Sequence, residues 1–114
     1  MLSAKEIKQI AQKVISENHD YDAVGIRMQD ELHGLEIGDK IEHKSYIWID
    51  GERTDDTLDG VSAVDAEMAA QYNLGFGYYA GEYILILGGN YYSHGEDDGE
   101  IIMQAPTVIN IIKI

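Results

Sequence analysis

At 114 residues the chain has the length of a single domain with one core, and its 45% apolar content, with eight tyrosines and one tryptophan, sets it apart from acidic disordered tails. With no cysteine it has no disulfide framework, thiolate metal site or cysteine nucleophile. The formal net charge is −13, and twenty of the 21 acids fall between Glu17 and Glu100, where the bases are Arg27, Lys40, Lys44 and Arg53; this balance disfavours direct nucleic-acid binding and favours a basic partner surface or a cation.

Lys5, Glu6, Lys8 and Gln9 interrupt any apolar leader. No segment approaches the roughly 20 apolar residues of a membrane-spanning helix, so a cytoplasmic protein is expected. Ser3 and Glu6 have the spacing of a capping box, and Ile7, Ile10, Ala11, Val14 and Ile15 follow as one apolar stripe. This predicts an amphipathic helix that ends near Asn18 and packs on a sheet, leaving Lys5, Lys8 and Lys13 in water. Residues 24–28 read as a short strand, followed by a polar stretch broken by Gly34 and Gly38. Residues 45–49 alternate as a strand and end at Asp50-Gly51, a tight-turn dipeptide.

The acidic run 52–60 reads as a loop by composition. Residues 61–74 read as a second helix, with Ser62 as N-cap, Asp65 at the third position, and Val64, Met68, Ala69 and Tyr72 on its apolar face. Gly75, Gly77 and Gly81 punctuate an aromatic segment, Phe76, Tyr78 and Tyr79. Residues 83–87 form a continuous apolar run, expected as a strand buried on both faces and ended by Gly88-Gly89-Asn90. Tyr91-Tyr92 begin another extended piece, 95–99 is an acidic loop, and 101–103 and 108–112 are two strands flanking Ala105-Pro106. The order predicts a single α+β domain over residues 1–114, with an N-terminal amphipathic helix and a second short helix packed on a mainly antiparallel or mixed sheet.

Asp50, Glu52, Asp55, Asp56 and Asp59 form one carboxylate cluster. Calcium takes about six to eight oxygen ligands from such loops, but the EF-hand spacing of glycine and glutamate is absent, so the cluster reads as a solvated loop. His94, Glu96, Asp97, Asp98 and Glu100 form a second cluster without zinc-site spacing, and His19, His33 and His43 lie apart; no metal is expected. Phe76, Tyr78, Tyr79, Tyr83, Tyr91 and Tyr92 would stack bases only beside a positive groove. Their acidic neighbours point instead to a sheet face or a protein interface. Gly75-x-Gly77 follows a helix and lacks a Gly-Lys-Ser/Thr step, so it is no phosphate cradle.

Asp98-Gly99-Glu100, followed by Ile101-Ile102-Met103, Ala105-Pro106 and Val108-Ile109, resembles the last part of ADP-ribosyltransferases. There a Glu-x-Glu turn precedes a short apolar strand, a small-residue or proline turn and a final strand. The resemblance, covering the last third and two isolated residues, implies that Glu100 contacts the nicotinamide ribose of NAD and stabilises an oxocarbenium-like transition state. It likewise implies that Arg27 contacts the NAD phosphates and that Ser62 orients the site, with Asp98 standing where the family has its first glutamate. Alongside it stands a plainer assignment: Arg27 paired with an acid, Ser62 as a helix N-cap, Glu100 facing solvent at a strand start.

The leading functional expectation is a binding protein without cofactor. Its acids at Asp50, Glu52, Asp55, Asp56, Asp59, Glu96, Asp97 and Asp98 imitate nucleic-acid charge and dock on a basic groove of a nucleic-acid-handling protein, as small acidic inhibitors from phages and mobile elements do. The alternative is an NAD-binding, ADP-ribosyltransferase-like protein, active or degenerate, using Arg27, Ser62 and Glu100. A third is an accessory protein without catalysis whose tyrosines form a homo-oligomer interface.

Overall fold

In the computed structural model, which describes residues 3–42, 44–74, 81–95 and 98–114, the chain begins with the helix its capping signal announces. Helix α1 spans Ala4–Glu17; the Glu6 N–H donates to Ser3 Oγ at 3.2 Å, and the Ser3 N–H donates to Glu6 Oε1 at 3.3 Å. Asn18 caps the other end, its backbone N–H and side-chain amide both donating to the Val14 carbonyl. Ile7, Ala11 and Val14 are buried, while Lys5 and Lys13 are exposed and Lys8 is half-buried.

Six strands and a second helix follow: β1 Ala23–Gln29, β2 Lys44–Ile49, β3 Glu52–Asp59, β4 Val61–Asp65, α2 Ala66–Gln71, β5 Tyr83–His94 and β6 Glu100–Lys113. Four of them close on themselves in the order β1-β4-β6-β5, every pair antiparallel. The fold is α+β, with both helices packed on this sheet. Alternation along β5 sorts its apolar run onto two faces. Ile84 and Ile86 join Ile7, Ala11, Val14, Ile26 and Val64 under the helices, whereas Leu85 and Leu87 join Val61, Ala63, Ile101, Met103 and Val108 inside the barrel. Burying each Val, Leu, Ile or Met among these contributes about 1.5–3 kcal/mol relative to exposure.

Several elements differ from the sequence expectation. Residues 61–74 are not one helix: β4 runs to Asp65, whose Oδ1 accepts from the Glu67 N–H at 3.0 Å and caps the short α2. Val61 and Ala63 alternate into the barrel, and β4 is needed between β1 and β6, so strand pairing overrides the local helix signal. Residues 52–60 are not a loop either, because the tight turn brings β3 back along β2. Asp50 and Gly51 both take positive φ, 52° and 78°, between the paired residues Ile49 and Glu52, as a two-residue hairpin turn requires.

Strand β5 does not stop at Gly88-Gly89-Asn90 but continues through Tyr91 and Tyr92 to His94. The two expected C-terminal strands are one, β6, carrying a bulge in which Ala105 and Pro106 stand opposite Gly89 and Ala105 has φ 41°. Residues 75–80, with Phe76, Tyr78 and Tyr79, lie outside the described residues.

Between β1 and β4 the chain inserts two features. Residues 30–42 form a strap that runs beside β6: the Val108 N–H donates to the Asp39 carbonyl at 2.8 Å, the Ile41 N–H to the Pro106 carbonyl at 2.9 Å, and the Gly38 N–H to the Val108 carbonyl at 2.7 Å. Leu32, Leu35 and Ile41 pack from it onto the barrel interior. The β2–β3 hairpin then forms a separate two-stranded sheet, and among the described residues neither of its strands packs to any extent on a barrel strand or helix.

Candidate functional site

The barrel has a weak seam. Strands β1 and β4 pair only at Gly25↔Asp65 and Ile26↔Val64, although β1 stays paired with β5 as far as Gln29↔Tyr83. Beyond Ile26 the two strands part, and Arg27 spans the opening. Its Nη1 donates to the Ser62 carbonyl at 2.8 Å, and its Nε donates to Gln29 Oε1 at 3.4 Å. The side chain is half-buried, and desolvation lowers the guanidinium pKa from its ordinary value. Among the described residues no carboxylate forms an ion pair with it.

Two cavities meet at Arg27 and Ser62. One, of about 440 Å³, lies under the strap and is lined further by Gln29, His33, Leu35, Ile41, Glu42, Val61 and Ile102. The other, of about 380 Å³, is lined by Ile26, Met28, Ala63, Val64 and Glu100 besides the shared pair. Arg27, Ser62 and Glu100 therefore border one cavity.

Each member of the trio departs from the plainer assignment. Arg27 has no acidic partner among the described residues, Ser62 is a strand residue rather than a helix N-cap, and Glu100 is half-buried rather than solvent-facing. Glu100 folds back over the β5–β6 turn, where a Cβ at Gly95 would collide with its side chain. The tail that prompted the family resemblance is a single bulged strand, not two strands about a turn. Gln29 and the strap residues had no signal in the linear pattern beyond the apolar Leu32, Leu35 and Ile41 set in a polar stretch.

The acidic residues divide differently. Asp50, Glu52, Asp55 and Asp56 are exposed on the hairpin. The register of β2 against β3 shifts between Tyr46 and Trp48, so Thr54, Asp55 and Asp56 bulge opposite Ile47, and the Asp56 N–H donates to Thr54 Oγ1 at 3.3 Å. Arg53 lies 4.5 Å from the Tyr46 ring centroid as a cation–π pair. Asp59 belongs to β3, Asp98 is exposed in the β5–β6 turn, and Glu96 and Asp97 lie outside the described residues.

Apart from Asp65 and Glu100, every carboxylate among the described side chains is exposed. The ion pairs found there join histidines to acids, His19 to Asp20 and His33 to Glu31; none involves lysine or arginine. The described residues contain no group of three His, Cys, Asp or Glu side chains placed to hold a metal, and no helix among them is long and apolar enough to cross a membrane. Comparison of the chain with family models, with curated proteins and with solved structures gives no match.

Proposed function

We propose that the protein works by binding, with the β2–β3 hairpin as an acidic arm that docks on a basic, nucleic-acid-handling surface of a partner protein. One observation carries this reading: the hairpin stands apart from the barrel and presents Asp50, Glu52, Asp55 and Asp56 to solvent with no lysine or arginine neutralising them among the described residues. Unneutralised charge on a projecting element steers encounter with an oppositely charged groove. Tyr46 and Ile49, 49% and 59% exposed, add apolar contact area on the same arm.

The test is capture of the partner at about 50 mM salt, within the range where screening is weak. The captured protein should be basic and should be displaced by heparin, which competes for a nucleic-acid groove. A variant with Asp50→Asn, Glu52→Gln, Asp55→Asn and Asp56→Asn should capture about tenfold less or worse. Equal capture by that variant would exclude the hairpin as the docking element.

Convergence of Arg27, Ser62 and Glu100 on one cavity favours a second reading, an ADP-ribosyltransferase-like NAD site. It requires NAD to bind in the seam and Glu100→Ala to abolish transfer while the fold is retained. Calorimetric titration with NAD together with an ADP-ribosyl-transfer assay, on the native protein and that variant, decides it.

A further inference from the structure

Arg27 is the unexplained charge of this molecule. In a chain with 21 acids it is half-buried, held by a backbone carbonyl and an amide oxygen, and left without a carboxylate among the described residues. A guanidinium has five N–H donors in a planar fork, and the two bonds formed here leave three of them for another group. The Ser62 hydroxyl makes no hydrogen bond among the described residues, and Ser62 borders the same two cavities. A charge partly held out of water at a cavity junction is stabilised by an anion that meets the fork with paired oxygens.

The surroundings limit what that anion can be. Under the strap, Leu35, Ile41, Val61 and Ile102 give the larger cavity an apolar wall beside Arg27. Among the described lining residues, each cavity carries one carboxylate, Glu42 in the larger and Glu100 in the smaller; the larger also has His33, and neither has a lysine or a second arginine. A ligand with several negative charges would meet more repulsion than attraction, whereas a single charge matches Arg27. Volumes of about 440 and 380 Å³ lie within the range of small-molecule sites, roughly 300–1,000 Å³.

We propose that the seam binds a small organic monocarboxylate, its carboxylate on the Arg27 fork and the Ser62 hydroxyl and its apolar body on Leu35, Ile41 and Ile102 beneath the strap. This site is independent of hairpin docking, and it takes a different ligand from the NAD reading of the same residues.

Hexanoate is the probe, followed by NMR on the native chain so that the Arg27 Nε–H signal reports directly without a mutation. Saturable shifts of that signal and of the Ser62 and Ile102 amides are expected, with 1-hexanol and inorganic phosphate each binding about tenfold more weakly or worse. Arg27→Lys, which keeps the charge and loses the fork, should weaken hexanoate about tenfold. Glu100→Gln, which removes a like charge, should tighten it about threefold. Phosphate or NAD binding at least as tightly as hexanoate would overturn the proposal. So would the absence of a saturable shift up to about 20 mM, a generous range for a ligand of this size.

Discussion

At the scale of single residues, the seam and the barrel interior impose opposite demands. A Cβ at Gly25 would stand 2.7 Å from both the Ala63 Cβ and the Met103 Sδ, because the strands approach closely where β1 and β4 still pair. Gly25→Ala should therefore destabilise by about 1–3 kcal/mol through overpacking, read as a lower urea midpoint with unchanged slope. Two residues on, Arg27 leaves the protein with a partly desolvated charge and no ion-pair partner among the described residues. Replacing it with methionine removes that desolvation at the loss of the bond to the Ser62 carbonyl and the long one to Gln29 Oε1, so Arg27→Met should unfold at the same or a higher urea concentration. A stability cost in that variant would show that Arg27 is there for the fold.

The desolvation carries a sign with it. A base whose folded pKa is depressed disfavours the folded state at every pH where it is protonated in both states. For an arginine that covers all ordinary pH, so the effect is a constant cost without a titration in the working range. Sequence reasoning placed Arg27 correctly on an early strand, and of its two readings the plainer one gave it an acidic partner from the abundance of acids. Abundance says nothing of geometry, and the unpaired seam that isolates Arg27 arises from strand register, which a linear pattern does not carry.

Among elements, those dictated by local chemistry were the legible ones. The capping box and apolar stripe gave α1, the continuous apolar run gave the buried part of β5, and Asp50-Gly51 gave a turn. Where tertiary pairing decides, local signals misled. Acidic composition hid β3, Ser62 and Asp65 imitated a helix start within β4, and Ala105-Pro106 imitated a turn where the chain bulges and continues. The hairpin's separateness has a consequence of its own. Gly51 at φ 78° admits a side chain only with strain, so Gly51→Val should open β2 from β3 while leaving the barrel closed. Hydrogen exchange should show β2 and β3 amides losing protection and those of β1, β5 and β6 keeping it. Loss in both would mean that the hairpin supports the barrel.

For the whole molecule, charge and topology reinforce each other. Among the described strands, closure of the barrel leaves unpaired edge only at the short β1–β4 seam, and the hairpin carries edges of its own. Within residues 30–59, the inserted strap and hairpin, lie ten of the chain's 21 acids. The framework is thus a small apolar barrel under two helices, and the charge is carried largely on what is inserted into it. The most direct measurement is the association rate with the captured partner across about 50 to 500 mM salt, for the native chain and the four-site hairpin variant. The native rate should fall about tenfold or more across that range, and the variant should start slow and change little. A native rate indifferent to salt, or a variant with the same steep slope, would contradict docking through the acidic hairpin.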